Sequence, residues 1–123
     1  MNEAKDLPRS ITEVEIAVIR AALEKAADPG CLAALSAGLS QLQVVGRCSC
    51  GCDSIDFEKE EPPRSQPIAN CVGTTVDGNE VGVIVWGRSD AVTGLEIFDV
   101  GPGENGKLPI PSSIRPFVSG QGA

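Results

Sequence analysis

Apolar residues follow two different periods along this chain, helical at the start and alternating afterwards. Val14, Ala17, Val18, Ala21 and Ala22 recur at helical spacing, with Ile16, Ile19 and Leu23 on an adjoining face. This pattern predicts a helix over about residues 11–28, its stripe broad enough to meet both a sheet and a second helix. Ser10-Ile11-Thr12-Glu13 has capping-box spacing, the Ser10 hydroxyl accepting from the Glu13 amide and the Glu13 carboxylate from the Ser10 amide. Asp28-Pro29-Gly30 ends the helix because proline cannot continue the hydrogen-bond ladder. Leu32, Leu35, Leu39 and Leu42 then mark the buried side of a second helix over about 30–41, weakened near its end by Gly38.

From Gln41 the period shortens. Residues 42–47 read as a strand centred on Val44 and Val45, and 54–58 as a half-buried strand alternating Ile55 and Phe57 with Asp56 and Glu58. The proline-rich, charged stretch 59–67 is a surface loop. Strands over 68–76 and 80–86 flank Asp77-Gly78, the signal for a two-residue type I′ hairpin. Val81, Val83 and Val85 face one way and Ile84 and Trp86 the other, which predicts a central strand covered on both sides and favours a core position for Trp86 over a role as an interface anchor. A last strand runs from Leu95 to Val100, and residues 101–123 form an irregular, extended tail.

Two helices followed by a meander of about five antiparallel strands define an α+β fold, a single domain over 1–123 with its sheet across about 42–100. At 123 residues and 41% apolar composition the chain is long enough to fold without cross-links. It lacks a basic segment leading into an apolar run, and no stretch approaches the length that spans a bilayer, so the expectation is a cytoplasmic protein not held in a membrane. Five cysteines, an odd number, fit poorly with a closed disulfide framework and well with a reducing compartment.

The formal charge of −7, with basic residues scattered rather than clustered, argues against nucleic acid as a partner. It suits a basic protein instead, since opposite charge accelerates encounter. Asp53, Asp56, Glu58, Glu60 and Glu61, offset by Lys59, form the candidate interaction surface, as in an immunity-type protein that neutralises a basic toxin or nuclease. Such runs are more often the solvated side of a strand and its loop. Whether the chain is a monomer or a homodimer is not encoded legibly, although an edge strand near Gly73 or Val92 would offer a dimer contact.

One segment concentrates chemistry. Arg47-Cys48-Ser49-Cys50-Gly51-Cys52-Asp53-Ser54 places three thiols within five residues. Soft sulfur ligands suit zinc or copper(I), so Cys48, Cys50 and Cys52 are candidate metal ligands, with Cys31 or Cys71 as a fourth. Against this, structural zinc favours C-x₂₋₄-C pairs, and the spacing here is C-x-C twice. The alternative is a tight turn whose small thiols pack as hydrophobes. A reversible Cys50–Cys52 disulfide would make a redox protein, but no C-x-x-C pair supports it. With neither His nor Tyr in the chain, any general base would have to be a carboxylate or a lysine. The glycine-rich run 101–107 lacks phosphate-loop spacing. The readings therefore rank a non-catalytic interaction module first, a thiolate metal-binding protein second and a thiol redox protein third.

The segment Gly46-Arg47-Cys48-Ser49-Cys50-Gly51-Cys52, preceded by two helices and followed by Leu95-Glu96-Ile97, resembles a family of small uncharacterised bacterial proteins with a G-R-C-x-C-G-C segment between two N-terminal helices and an antiparallel sheet. The likeness extends over about residues 11–117. It implies the same order of elements and a recurring local structure for the three cysteines, and it carries no activity.

Overall fold

The computed structural model describes residues 7–47, 52–58, 65–100 and 106–117. Its first helix, α1 (Glu13–Ala26), starts two residues later than the Ser10 box predicts. Thr12 is the cap: its hydroxyl accepts from the Glu15 amide at 3.1 Å, and a Glu15 carboxylate oxygen accepts from the Thr12 amide at 2.9 Å. Two capping boxes overlap in this stretch, and the hydrophobic staple decides between them. With Thr12 as cap, the flanking staple positions fall on Ile11 and Ile16, one buried and the other packed against the core. With Ser10 they would fall on Arg9 and Val14, and Val14 is 54% exposed. Ser10 instead joins a two-stranded ribbon in which β1 (Arg9–Ser10) pairs with β2 (Gln43–Val44).

The second helical region is broken into pieces. α2 spans only Leu32–Ala37, between 3-10 turns at Pro29–Cys31 and Leu39–Gln41. Pro29 and Gly38 bracket it, each discouraging a longer α-helical ladder. The leucine stripe nevertheless does its predicted work: Leu35 and Leu39 are buried, and Leu32 and Leu42 pack at the margin of the core.

The main sheet has six strands: β3 (Gly46–Arg47), β4 (Ile55–Asp56), β5 (Gln66–Thr74), β6 (Glu80–Arg88), β7 (Ala91–Asp99) and β8 (Arg115–Pro116). Their spatial order is β3-β4-β7-β6-β5-β8, with every neighbouring pair antiparallel. The fold is therefore α+β, with both helices N-terminal. The predicted strand over 42–47 divides at Val45, its first half serving the ribbon and its second half the sheet.

The β5–β6 hairpin differs from a two-residue turn. The Thr75 amide donates to the Asn79 carbonyl and the Gly78 amide to the Thr75 carbonyl, leaving Val76-Asp77-Gly78 as a three-residue loop. Glycine is needed because this position has φ of +89°. Such a loop closes a right-handed turn with one left-handed residue, whereas type I′ needs two.

α1 lies across one side of the sheet and buries Val18, Ile19, Ala22 and Leu23 against β5 and β6, in one core with Ala69, Cys71, Val81, Val83 and Val85, while α2 meets β7, whose Leu95 and Ile97 complete that core. Burying each of the larger side chains is worth about 2 kcal/mol. Both long edges are closed. Ser54 Oγ accepts from the Ile97 amide at 2.8 Å and donates to the Ile97 carbonyl, standing in for a strand along β7. Along β5, Ile110 donates to the Thr74 carbonyl, β8 pairs with Cys71 and Val72, and Phe117 donates to the Asn70 carbonyl. Gly73 lies under Pro109 and Ile114, and Val92 is buried.

Candidate docking face

β6 is central, as its pattern predicts, but among the described residues no element packs on its second side. Alternation and register place Val72 of β5, Gly82, Ile84 and Trp86 of β6, and Glu96 and Phe98 of β7 together there. Trp86, Ile84 and Val72 are half-buried, and Phe98 is 40% exposed. Three strands thus contribute to one mixed face of apolar side chains and a carboxylate.

Ile84 sits at the middle. Its cross-strand partners are Glu96 on β7 and Asn70 on β5. Trp86 follows it along the strand, and on its other flank the Phe98 ring leans over Gly82, so that a Cβ added at Gly82 would meet the ring tip at 2.1 Å. The Trp86 indole N–H donates to Glu96 Oε1 at 3.0 Å, a diagonal cross-strand contact. No cation among the described residues pairs with Glu96.

Charged groups of both signs border this centre. The Asp56 carboxylate spans the neighbouring strands, one oxygen toward Gly46 and the other toward Gly94. At one margin Glu58 pairs with Arg88 at 3.0 Å, and at the other Glu80 pairs with Arg115 at 2.6 Å. Of the acidic residues singled out in the sequence, Asp56 and Glu58 thus border the apolar patch. Asp53 is engaged elsewhere, its Oδ2 accepting from the Leu108 amide at 2.7 Å while its own amide donates to the Gly106 carbonyl. Glu60 and Glu61 lie outside the described residues.

Cys48 and Cys50 also lie outside them. Cys52 is half-buried and its thiol donates to Ser54 Oγ. Cys31 stands by α2 with its thiol 4.0 Å from Asp28 Oδ2. Cys71 is buried under α1, its thiol directed at the Ala22 carbonyl, and burial pushes it up to about 11 against the opposing pull of Lys25. It belongs to β5, separated from β4 by β7 and β6, so about 14 Å of sheet lies between it and the strand that follows Cys52. Among the described residues, no three Cys, Asp or Glu side chains converge as a metal set.

The sequence reading placed Trp86 in the core and passed over Glu96 and Phe98. The signal was present in β7, where Leu95 and Ile97 alternate with Glu96 and Phe98, but one strand alone does not reveal which alternate face lacks a cover. No helix among the described residues is long and apolar enough to cross a membrane. No family model matches this chain, and neither a curated protein nor a solved structure is similar to it.

Proposed function

We propose that this chain is a non-catalytic interaction module that docks a basic protein on the open side of its sheet. The observation that carries the reading is Glu96, a half-buried carboxylate amid Trp86, Ile84 and Phe98 with no described cation beside it. An apolar patch alone would accept any greasy surface. Glu96 selects for positive charge, and a chain of net charge −7 steers such a partner from a distance. The same charge disfavours a second copy, because a two-fold contact through this patch would bring Glu96 toward its counterpart. Closed sheet edges support docking through the face rather than by strand addition. Five cysteines, with Cys31 and Cys71 unbridged, suit work in a reducing cytosol.

The test is selection from a library of random peptides displayed on phage, followed by amide shift mapping on the labelled full chain. Selected peptides should be net basic, contain apolar residues, and perturb Val72, Ile84, Trp86 and Phe98. An empty selection, peptides mapping elsewhere, or a concentration-dependent homodimer through this patch overturns the proposal.

A further inference from the structure

The docking partner must put something against Glu96, and the surroundings of that carboxylate specify what. We infer that the partner inserts an arginine side chain over Ile84, with its guanidinium on Glu96 between Trp86 and Phe98. This rests on the docking reading above and names the residue the docking face recognises.

Three observations converge. The floor is aliphatic: Ile84 offers a surface for the methylene stem of a long cationic side chain, which gains from such contact while keeping its charged head on a partner. Aromatic rings stand at both ends of that floor along the strand, Trp86 at one and Phe98, folded over Gly82, at the other. A planar cation beside such rings is held by the ring quadrupole, and guanidinium stacks where an ammonium does not. Glu96 supplies the counter-charge. Its Oε1 is already fixed by the indole N–H, which orients the carboxylate and leaves Oε2 with no donor among the described residues. A guanidinium nitrogen on Oε2 completes the group, and charge-assisted bonds of this kind are about twice as strong as neutral ones. Asn70, opposite Ile84 on β5, adds a side-chain amide able to accept a further N–H.

The chain carries its own reporter. Trp86 is its single tryptophan, so one indole N–H resonance reads the hydrogen bond to Glu96 directly. The probes are acetyl-glycyl-arginyl-glycine amide and the same peptide with citrulline or lysine in the central place. Citrulline keeps the planar shape and removes the charge. The arginine peptide should shift the Trp86 indole signal saturably, the citrulline peptide should not, and the lysine peptide should bind at least several-fold more weakly. Glu96→Gln should weaken the arginine peptide tenfold or more with amide dispersion unchanged, and Phe98→Ala should weaken it to a lesser degree.

Equal binding of arginine and citrulline peptides, or an unchanged affinity in Glu96→Gln, overturns the arginine seat. A lysine peptide that binds as tightly as arginine overturns the commitment to guanidinium. Phage-selected peptides that map to the face but tolerate citrulline in place of arginine leave docking intact and remove only this inference. An empty selection removes both.

Discussion

On β6, Val81, Val83 and Val85 are fully buried beneath α1, while Ile84 and Trp86, one residue out of phase, stay half-exposed on the other side. Both rows are apolar, and the strand alone would suit burial on either. What separates them is the partner layer: α1 crosses only one side. The helix-facing row is continuous with Leu95, Ile97, Cys71 and Ala69, all buried, whereas the open row meets a carboxylate, an asparagine and a glycine beside Val72 and Phe98. A core row excludes charge, while a recognition row mixes apolar area with a few oriented polar groups.

The largest expected effect tests the buried side. Leu23→Ala removes a fully buried side chain of α1 and should cost about 3 kcal/mol of stability in urea denaturation. Ile84→Ala should cost about 1 kcal/mol or less, yet weaken capture of the selected basic peptides. Equal losses from the two variants would mean that the open side is covered after all.

Glycines on the two sides sharpen the contrast. A Cβ at Gly87 would lie 2.3 Å from the Ala91 carbonyl oxygen, which is backbone and cannot yield without moving β7. Gly87→Ala should therefore cost about 2 kcal/mol. At Gly82 the obstacle is only the tip of the exposed Phe98 ring, which can rotate into solvent. Gly82→Ala should leave stability within about 1 kcal/mol while displacing that ring from the docking face, seen as changed amide shifts around Phe98.

How much of this was legible in the sequence follows the same division. The order of elements, the leucine stripe of α2 and the central place of β6 could be read because they depend on period and on short-range punctuation. The cap could have been read as well. Thr12 is distinguished from Ser10 by Ile11 and Ile16 at the staple positions, a comparison of two overlapping boxes that the spacing of either one alone does not make. The docking face could not be read, because Glu96 reaches Trp86 only through the β6–β7 register, and the register shifts between Trp86 and Gly87. Nor did the acidic run announce that Asp53 would spend its carboxylate on the Leu108 amide. Composition likewise does not show that Cys71 lies under α1 in the core.

Glu15 carries a smaller and pH-dependent share. Burial works to raise its carboxyl, but bonds from Arg9 at 3.0 and 2.7 Å, with the Thr12 amide, outweigh that and hold it below its ordinary 4.5. Because the folded carboxyl is the more acidic one, its stabilisation is complete above the unfolded value and is lost as pH falls through the folded value. Glu15→Gln keeps an acceptor for the cap and removes the charge. It should cost about 1.5 kcal/mol near neutrality and flatten the acid limb of the stability profile below pH of about 4.5. A variant that retains the wild-type acid limb would place that sensitivity elsewhere.

The margin of the docking face should matter least to folding and still register in binding. Arg115 and Glu80 are 2.6 Å apart, but both side chains are about half exposed, so water and salt screen the pair and ordering two long side chains offsets much of its attraction. Arg115→Ala should change stability by less than about 0.5 kcal/mol. The same change leaves Glu80 without its cation and makes the face more negative. Association of a selected basic peptide should then quicken roughly twofold at low salt, with little change in its dissociation, because a charge at the rim acts on encounter more than on the formed contact. Stopped-flow Trp86 fluorescence at low and high ionic strength separates the two. A slower association, or a gain that persists at high salt, would contradict an acidic face recruiting a basic partner and would leave the apolar residues to account for binding by themselves.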